Sequence, residues 1–137
     1  RTALEVPEGA FHAPARWKHR LGRVHVTSVA SAGECEWVAA EAERHAASTR
    51  GWNREGHHDQ YPTTDVVVAE SAALLAWTNA KLREVVWPAL AAQFGVAQDD
   101  LWLQDAFVVR YDATDQDRLE THTDDSELSF NLLLSDP

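Results

Sequence analysis

Apolar residues recur at two different periods along this chain, and the change between them divides it. From about Ser71 to Gln93, Leu75, Leu82, Val86 and Leu90 return at helical spacing along one face, which predicts an amphipathic helix. Pro88 lies inside that pattern; its ring removes an amide donor and crowds the preceding turn, so a kink or restart is expected there, with Gly95 as the stop. An earlier helix is predicted from about Glu34 to Ser48, closed by Gly51. It opens on Ser31-Ala32-Gly33-Glu34, a capping box in which serine and glutamate satisfy each other's backbone amides. From Leu101 the period falls to two. Leu101, Leu103, Phe107, Val109 and Tyr111 share one side of an extended segment, with Asp105 as its charged interruption. A second strand is predicted over 128–134, with Leu128, Phe130, Leu132 and Leu134 on one side and Ser129, Asn131 and Leu133 on the other. Val24 and Val26 mark a short strand upstream.

Proline and glycine punctuate the rest. Residues 1–23 contain Pro7, Gly9, Pro14 and Gly22 among scattered charges, which predicts an irregular lead-in. Residues 49–65 carry two glycines and a proline without helical period, and a loop of that length is often functional. Helices followed by antiparallel-looking strands give an α+β class: N-terminal helices packed on a sandwich or jelly roll that needs further strands to close. The chain has 137 residues, enough for a single domain, here assigned to 24–137. It starts at Arg1, contains no methionine and stops at Pro137 just after an apolar run, so it is expected to be a piece of a longer protein.

Charge sharpens this picture. Residues 1–98 hold 10 basic and 11 acidic side chains, whereas 99–137 hold 2 and 11. A field so negative repels phosphate backbones and anionic lipid, which argues against nucleic-acid or membrane-surface partners and tolerates a cationic substrate. No apolar run approaches the ~20 residues of a membrane-crossing helix. The one cysteine, Cys35, has no partner for an internal disulfide; a reducing cytoplasm fits, and so does the lumen of the endoplasmic reticulum. In its helical setting it reads as a small packing thiol.

Candidate chemistry concentrates in "LETHTDDSELSFNLLL", residues 119–134. In an extended backbone His122 and Asp124 project to one side and Thr123 to the other, so both can face one ion. With a second histidine from elsewhere they make the two-histidine, one-carboxylate set that leaves open positions on Fe(II). The triplet alone has little specificity in a chain with seven histidines, and a polar turn is the ordinary reading of it. His57-His58-Asp59 is a weaker alternative, because adjacent histidines in extended chain point apart. Trp52 is placed to pack or to line a groove. Arg110 has the fork that grips carboxylates, yet its parity sets it opposite Tyr111.

The surroundings of the triplet add to it. "FVVRYDATDQDRLETHTDDSELSFNLLL" resembles the core of the lysyl hydroxylase branch of the 2-oxoglutarate and Fe(II)-dependent oxygenases, related to the prolyl 4-hydroxylases. The shared features are the Val-Val-Arg-Tyr strand end at 108–111, the Asp-Gln pair at 115–116, Leu119, His122, Asp124, Ser129, Asn131 and the leucines that follow. "PTTD" at 62–65 and the Trp-Pro pair at 87–88 extend the resemblance faintly upstream. It implies a double-stranded β-helix, a cupin-like jelly roll incomplete within this sequence, with His122 and Asp124 as iron ligands. Tyr111 and Asn131 would contact 2-oxoglutarate, to which hydroxyl and amide offer hydrogen bonds. The distal histidine and the basic 2-oxoglutarate anchor would lie past Pro137. The implied activity is hydroxylation of a C–H bond, on a prolyl or lysyl residue of a peptide, with O2 as cosubstrate and ascorbate as reductant. The alternative is a non-catalytic binding or interaction module on the same fold.

Overall fold

The structure is a computed structural model that describes residues 4–5, 25–54 and 61–135. His57-His58-Asp59 lies outside the described residues. A short antiparallel pair comes first, β1 (Leu4–Glu5) with β2 (His25–Val26), Leu4 opposite Val26. Helix α1 (Ala32–Ser48) follows, then β3 (Asp65–Val67), α2 (Ala72–Lys81), a π-turn over Leu82–Val86, α3 (Trp87–Phe94) and β4 (Phe107–Val109). β3 and β4 form a second antiparallel pair with Val66 opposite Val108. The architecture is α+β: helices on a small antiparallel sheet. Among the described residues no helix is long and apolar enough to cross a membrane.

The expected capping box opens α1: the Glu34 amide donates to the Ser31 hydroxyl at 3.3 Å, and the Ser31 amide donates to a Glu34 carboxylate oxygen at 2.9 Å. Two orphan donors are thereby satisfied at the helix start. Gly51, at φ 94°, turns the chain back so that its amide reaches the Ala46 carbonyl at 3.1 Å. Pro88 does more than kink the predicted second helix. The turn before it widens to π geometry, with the Trp87 amide bonded to the Leu82 carbonyl. Spreading that turn relieves the crowding a proline ring imposes on the preceding turn. Gly95, left-handed at φ 70°, ends α3 as expected.

The core lies between α1, α2 and the β3–β4 pair. Val38, Ala42 and Ala46 from α1 meet Val66, Val68, Leu74 and Val108, with Trp52, Leu75, Trp77 and Leu134 packed around them. Leu74 is 1% exposed and Ala42 fully buried. Small alanines on α1 let the helix approach the sheet closely, and the valines supply the branched bulk that fills a pleated face.

Two strand expectations need correction. Of the extended run 101–111, only Phe107–Val109 is strand, and the side facing the core carries Val108; Phe107 and Val109 are half-buried and Tyr111 is 51% exposed. The stretch 128–134 is extended in burial pattern without being a strand. Leu128, Leu132 and Leu134 are half-buried and Ser129, Asn131 and Leu133 exposed, but Phe130, expected on the buried side, is 42% exposed, and no described segment pairs with the stretch. Alternation follows from one-sided packing; a strand requires in addition a hydrogen-bonded neighbour.

Candidate metal and cosubstrate site

The site sits at one end of the β3–β4 pair, where residues 61–64 lead into β3 and residues 110–124 lead out of β4. The pairing fixes this meeting. The Arg110 amide donates to the Thr64 carbonyl at 2.8 Å, carrying the ladder one step past the strands. Beyond it a turn closes: the Asp112 amide bonds the Gln116 carbonyl at 2.8 Å and the Asp115 amide bonds the Asp112 carbonyl at 3.0 Å. The Asp112 carboxylate accepts from the Thr114 hydroxyl and amide, which hold its pKa below the ordinary carboxylate value.

Gln116 then bridges the two segments. Its Oε1 accepts from the Thr64 amide at 2.7 Å, and its Nε2 donates to the Pro62 carbonyl at 2.8 Å and the Arg118 carbonyl at 3.4 Å. A side-chain amide has the donor and acceptor of a peptide group, so Gln116 replaces one rung of a ladder. Arg54 pairs with Asp115 and brings the chain after α1 to the same place. Between these segments runs a cleft of about 370 Å³ lined by Arg54, Thr63, Thr64, Gln116 and Arg118. A smaller one of about 200 Å³ adjoins it at Tyr61 and Leu119.

His122 and Asp124 come together as their spacing requires. Nε2 of His122 lies 3.1 Å from Oδ1 of Asp124. The opposite ring nitrogen, Nδ1, is 2.9 Å from the Glu120 carbonyl, which accepts a hydrogen bond when Nδ1 carries the proton. Asp124 is steadied through its other oxygen, Oδ2, by the Ser129 hydroxyl at 2.5 Å, and Ser129 is in turn 2.9 Å from the Ser126 hydroxyl. The Tyr61 ring lies against the His122 imidazole, centroids 4.8 Å apart and planes 29° from parallel. The imidazole nitrogen and the carboxylate oxygen face each other directly, and each side chain is held from behind. Among the described residues no group of three or more histidine, cysteine, aspartate or glutamate side chains is arranged around one point. The His122–Asp124 pair stands without a third such side chain among the described residues.

The other expected residues are placed less closely. Tyr111 and Asn131 are both exposed, and among the described residues neither hydrogen-bonds to His122 or Asp124. Arg110 is committed elsewhere: its guanidinium lies 4.7 Å from the Trp52 ring centroid and 3.4 Å from Glu43, whose carboxylate also accepts from the Trp52 indole at 3.0 Å. Trp52 therefore packs the core edge and carries the arginine. Cys35 is a half-buried thiol donating to the Leu133 carbonyl at 3.9 Å. Sequence reasoning overlooked Tyr61 and Gln116. The Asp-Gln pair at 115–116 stands out only through the resemblance, and nothing local in "DQYPTT" marks an aromatic that reaches a histidine 61 positions later.

Comparison with protein-family models, with curated proteins and with solved structures finds no match.

Proposed function

We propose that this chain is the N-terminal portion of an Fe(II)- and 2-oxoglutarate-dependent dioxygenase that hydroxylates a C–H bond of a prolyl or lysyl residue in a peptide. The observation that carries the reading is the His122–Asp124 pair, with Nε2 and Oδ1 3.1 Å apart and with Glu120, Ser129 and Tyr61 holding the two side chains. His122 and Asp124 would hold the iron. When bound, iron and 2-oxoglutarate supply the oxidising chemistry: one oxygen atom of O2 enters the substrate C–H bond and the other enters succinate, with release of CO2. Ascorbate would serve as the reductant that keeps iron in the ferrous state.

The chain's own residues have three tasks in this reading. Glu120 and Ser129 fix the ligand atoms through the far side of each group, which preserves their direction when a metal is absent. Tyr111 and Asn131 contribute a hydroxyl and an amide towards 2-oxoglutarate. The cleft beside Tyr61 and Gln116 admits the peptide; its rim carries both signs of charge, with Arg54 paired to Asp115, Arg118 paired to Glu120, and Asp117 beside them. Trp102, Tyr111, Phe130 and Leu133 are exposed. In a double-stranded β-helix such apolar groups are covered by further strands.

The test uses the natural full-length protein. Fe(II), 2-oxoglutarate and O2 should yield succinate, and His122→Ala or Asp124→Ala should abolish it; undiminished succinate in both variants overturns the reading. Stoichiometric metal binding without succinate would favour the non-catalytic module on the same fold.

A further inference from the structure

The ring of His122 meets Asp124 at Nε2 and is constrained from two further directions, one of which leads to a residue outside that pair. In its plane, Nδ1 meets the Glu120 carbonyl at 2.9 Å. On its face lies Tyr61. Tyr61 precedes Pro62, whose carbonyl accepts from Gln116 at 2.8 Å, and the Thr64 amide donates back to Gln116 at 2.7 Å. The ladder between β3 and β4 ends with the Arg110 amide on the Thr64 carbonyl, so the Gln116 amide is the polar link that holds 61–63 past the end of the sheet. From these contacts we infer that Gln116 is a positioning residue: its carboxamide seats Tyr61 on the imidazole of His122 and thereby sets the direction of Nε2.

The physical argument is one of freedom removed. A histidine ring held only by a hydrogen bond at Nδ1 still rotates about that bond, swinging Nε2 sideways. A flat neighbour against its face blocks the swing. Tyr61 can act as that neighbour only while its backbone is fixed, and two short hydrogen bonds from one planar amide fix both of the next carbonyl and amide groups that matter, at Pro62 and Thr64. Side chains that orient a metal-binding histidine without touching the metal typically change metal affinity 10–100-fold when removed. The ring-seating half of the inference stands on the Gln116, Tyr61 and His122 contacts alone. The metal-affinity half rests on the reading of His122 as an iron ligand.

The test again takes the natural full-length protein, in two measurements. In the metal-free protein, the imidazole C–H resonances of His122, identified by their loss in His122→Gln, are shifted by the ring current of Tyr61, and Tyr61→Leu reports their unstacked positions. Gln116→Ala is expected to move them most of the way to those positions. Co(II) affinity is then expected to fall about tenfold in both Gln116→Ala and Tyr61→Leu, and Gln116→Ala also lowers the thermal midpoint because the buried Thr64 amide loses its acceptor. If Gln116→Ala leaves the His122 resonances at their native positions while Tyr61→Leu moves them, the inference is overturned. Should Gln116→Ala fail to fold, Gln116→Glu carries the same comparison, because it keeps the acceptor for Thr64 and loses the donor to Pro62. A native protein that takes up no Co(II) defeats the proposed function, and the resonances of His122 still decide the role of Gln116.

Discussion

The hydroxyl of Ser71 donates to Oε1 of Glu41 at 3.3 Å, joining the start of α2 to the buried face of α1. The Ser71 hydroxyl oxygen in turn accepts from the Leu74 amide at 3.4 Å, so one side chain caps a helix and satisfies a buried carboxylate. Glu41 is also forked by Arg44, through Nε at 2.8 Å and Nη2 at 2.5 Å, which holds its pKa below the ordinary carboxylate value. Ser71→Ala removes the cap and one partner of Glu41 together. A loss of about 1–2 kcal/mol is expected in denaturant unfolding, with Ser71→Thr recovering most of it.

Leu74 is the largest apolar side chain at the centre of the core, 1% exposed. Leu74→Ala should cost about 2–5 kcal/mol, because the lost transfer energy is compounded by a cavity between α1 and the sheet. Glu36→Ala, at an exposed position of α1, should change stability by less than about 0.5 kcal/mol. Equal effects at the two positions would contradict the packing described for β3, β4 and α1.

Acid should loosen the junction of the two helices. Glu34 accepts from Lys81 Nζ at 2.5 Å and from Ser31 and Trp77; the lysine contact first, then the Ser31 bonds, lower its pKa from 4.5 to about 2. Because the folded value lies below the unfolded one, its contribution is fully present above about pH 4.5 and fades as pH falls towards 2. Lys81→Met should move the acid unfolding midpoint to higher pH, read by far-ultraviolet circular dichroism. A midpoint that stays in place would remove Glu34 from the acid-labile groups.

Ser129 holds Asp124 through the oxygen that faces away from His122. In Ser129→Ala that carboxylate is freer to turn, and Co(II) affinity of the natural full-length protein should drop about tenfold. Folding stability should move by less than about 0.5 kcal/mol, since Ser129 is exposed. Titration calorimetry and a thermal melt measure the two quantities separately.

Arg110 offers a contrasting case. Its stacking on Trp52 and its ion pair with Glu43 assign it to structure. Arg110→Gln should lower stability by about 0.5–1 kcal/mol and leave the KM for 2-oxoglutarate unchanged. A several-fold rise in that KM would return the guanidinium to the cosubstrate.

What could be read from the sequence, and what could not, follows the range of the forces involved. The Ser31–Glu34 box, the proline inside the second helix and Gly95 act within a turn of themselves, and each appears where local chemistry requires it. The spacing of His122 and Asp124 is equally local, and the two groups do meet. Val108 shows the next level of difficulty. A period of two reveals an extended segment but not which side the rest of the chain will cover, and here the side with fewer apolar residues faces the core. Gln116 and Tyr61 lie further out of reach. Their roles arise only when β3 pairs with β4 and draws Thr64 beside Arg110, a closure that no nearby residue announces.

The π-turn before Pro88 has a consequence for how the second helix addresses its neighbours. Such a turn holds one residue more than an α-turn would, and each residue of a helix advances the face by about 100°. α2 and α3 are therefore two segments of one rod set out of phase. Leu74 points from the first into packed surroundings, Leu82 is buried at the start of the wide turn, and Leu90, half-buried, takes its heading from the second. Removing a single residue between Leu82 and Val86 would restore a continuous α-helix with Leu90 and Phe94 on their present headings, whereas tightening the turn without a deletion would swing them round by that same angle. The wide turn works as a phase shifter, and the proline next to it is what keeps the shift from annealing away.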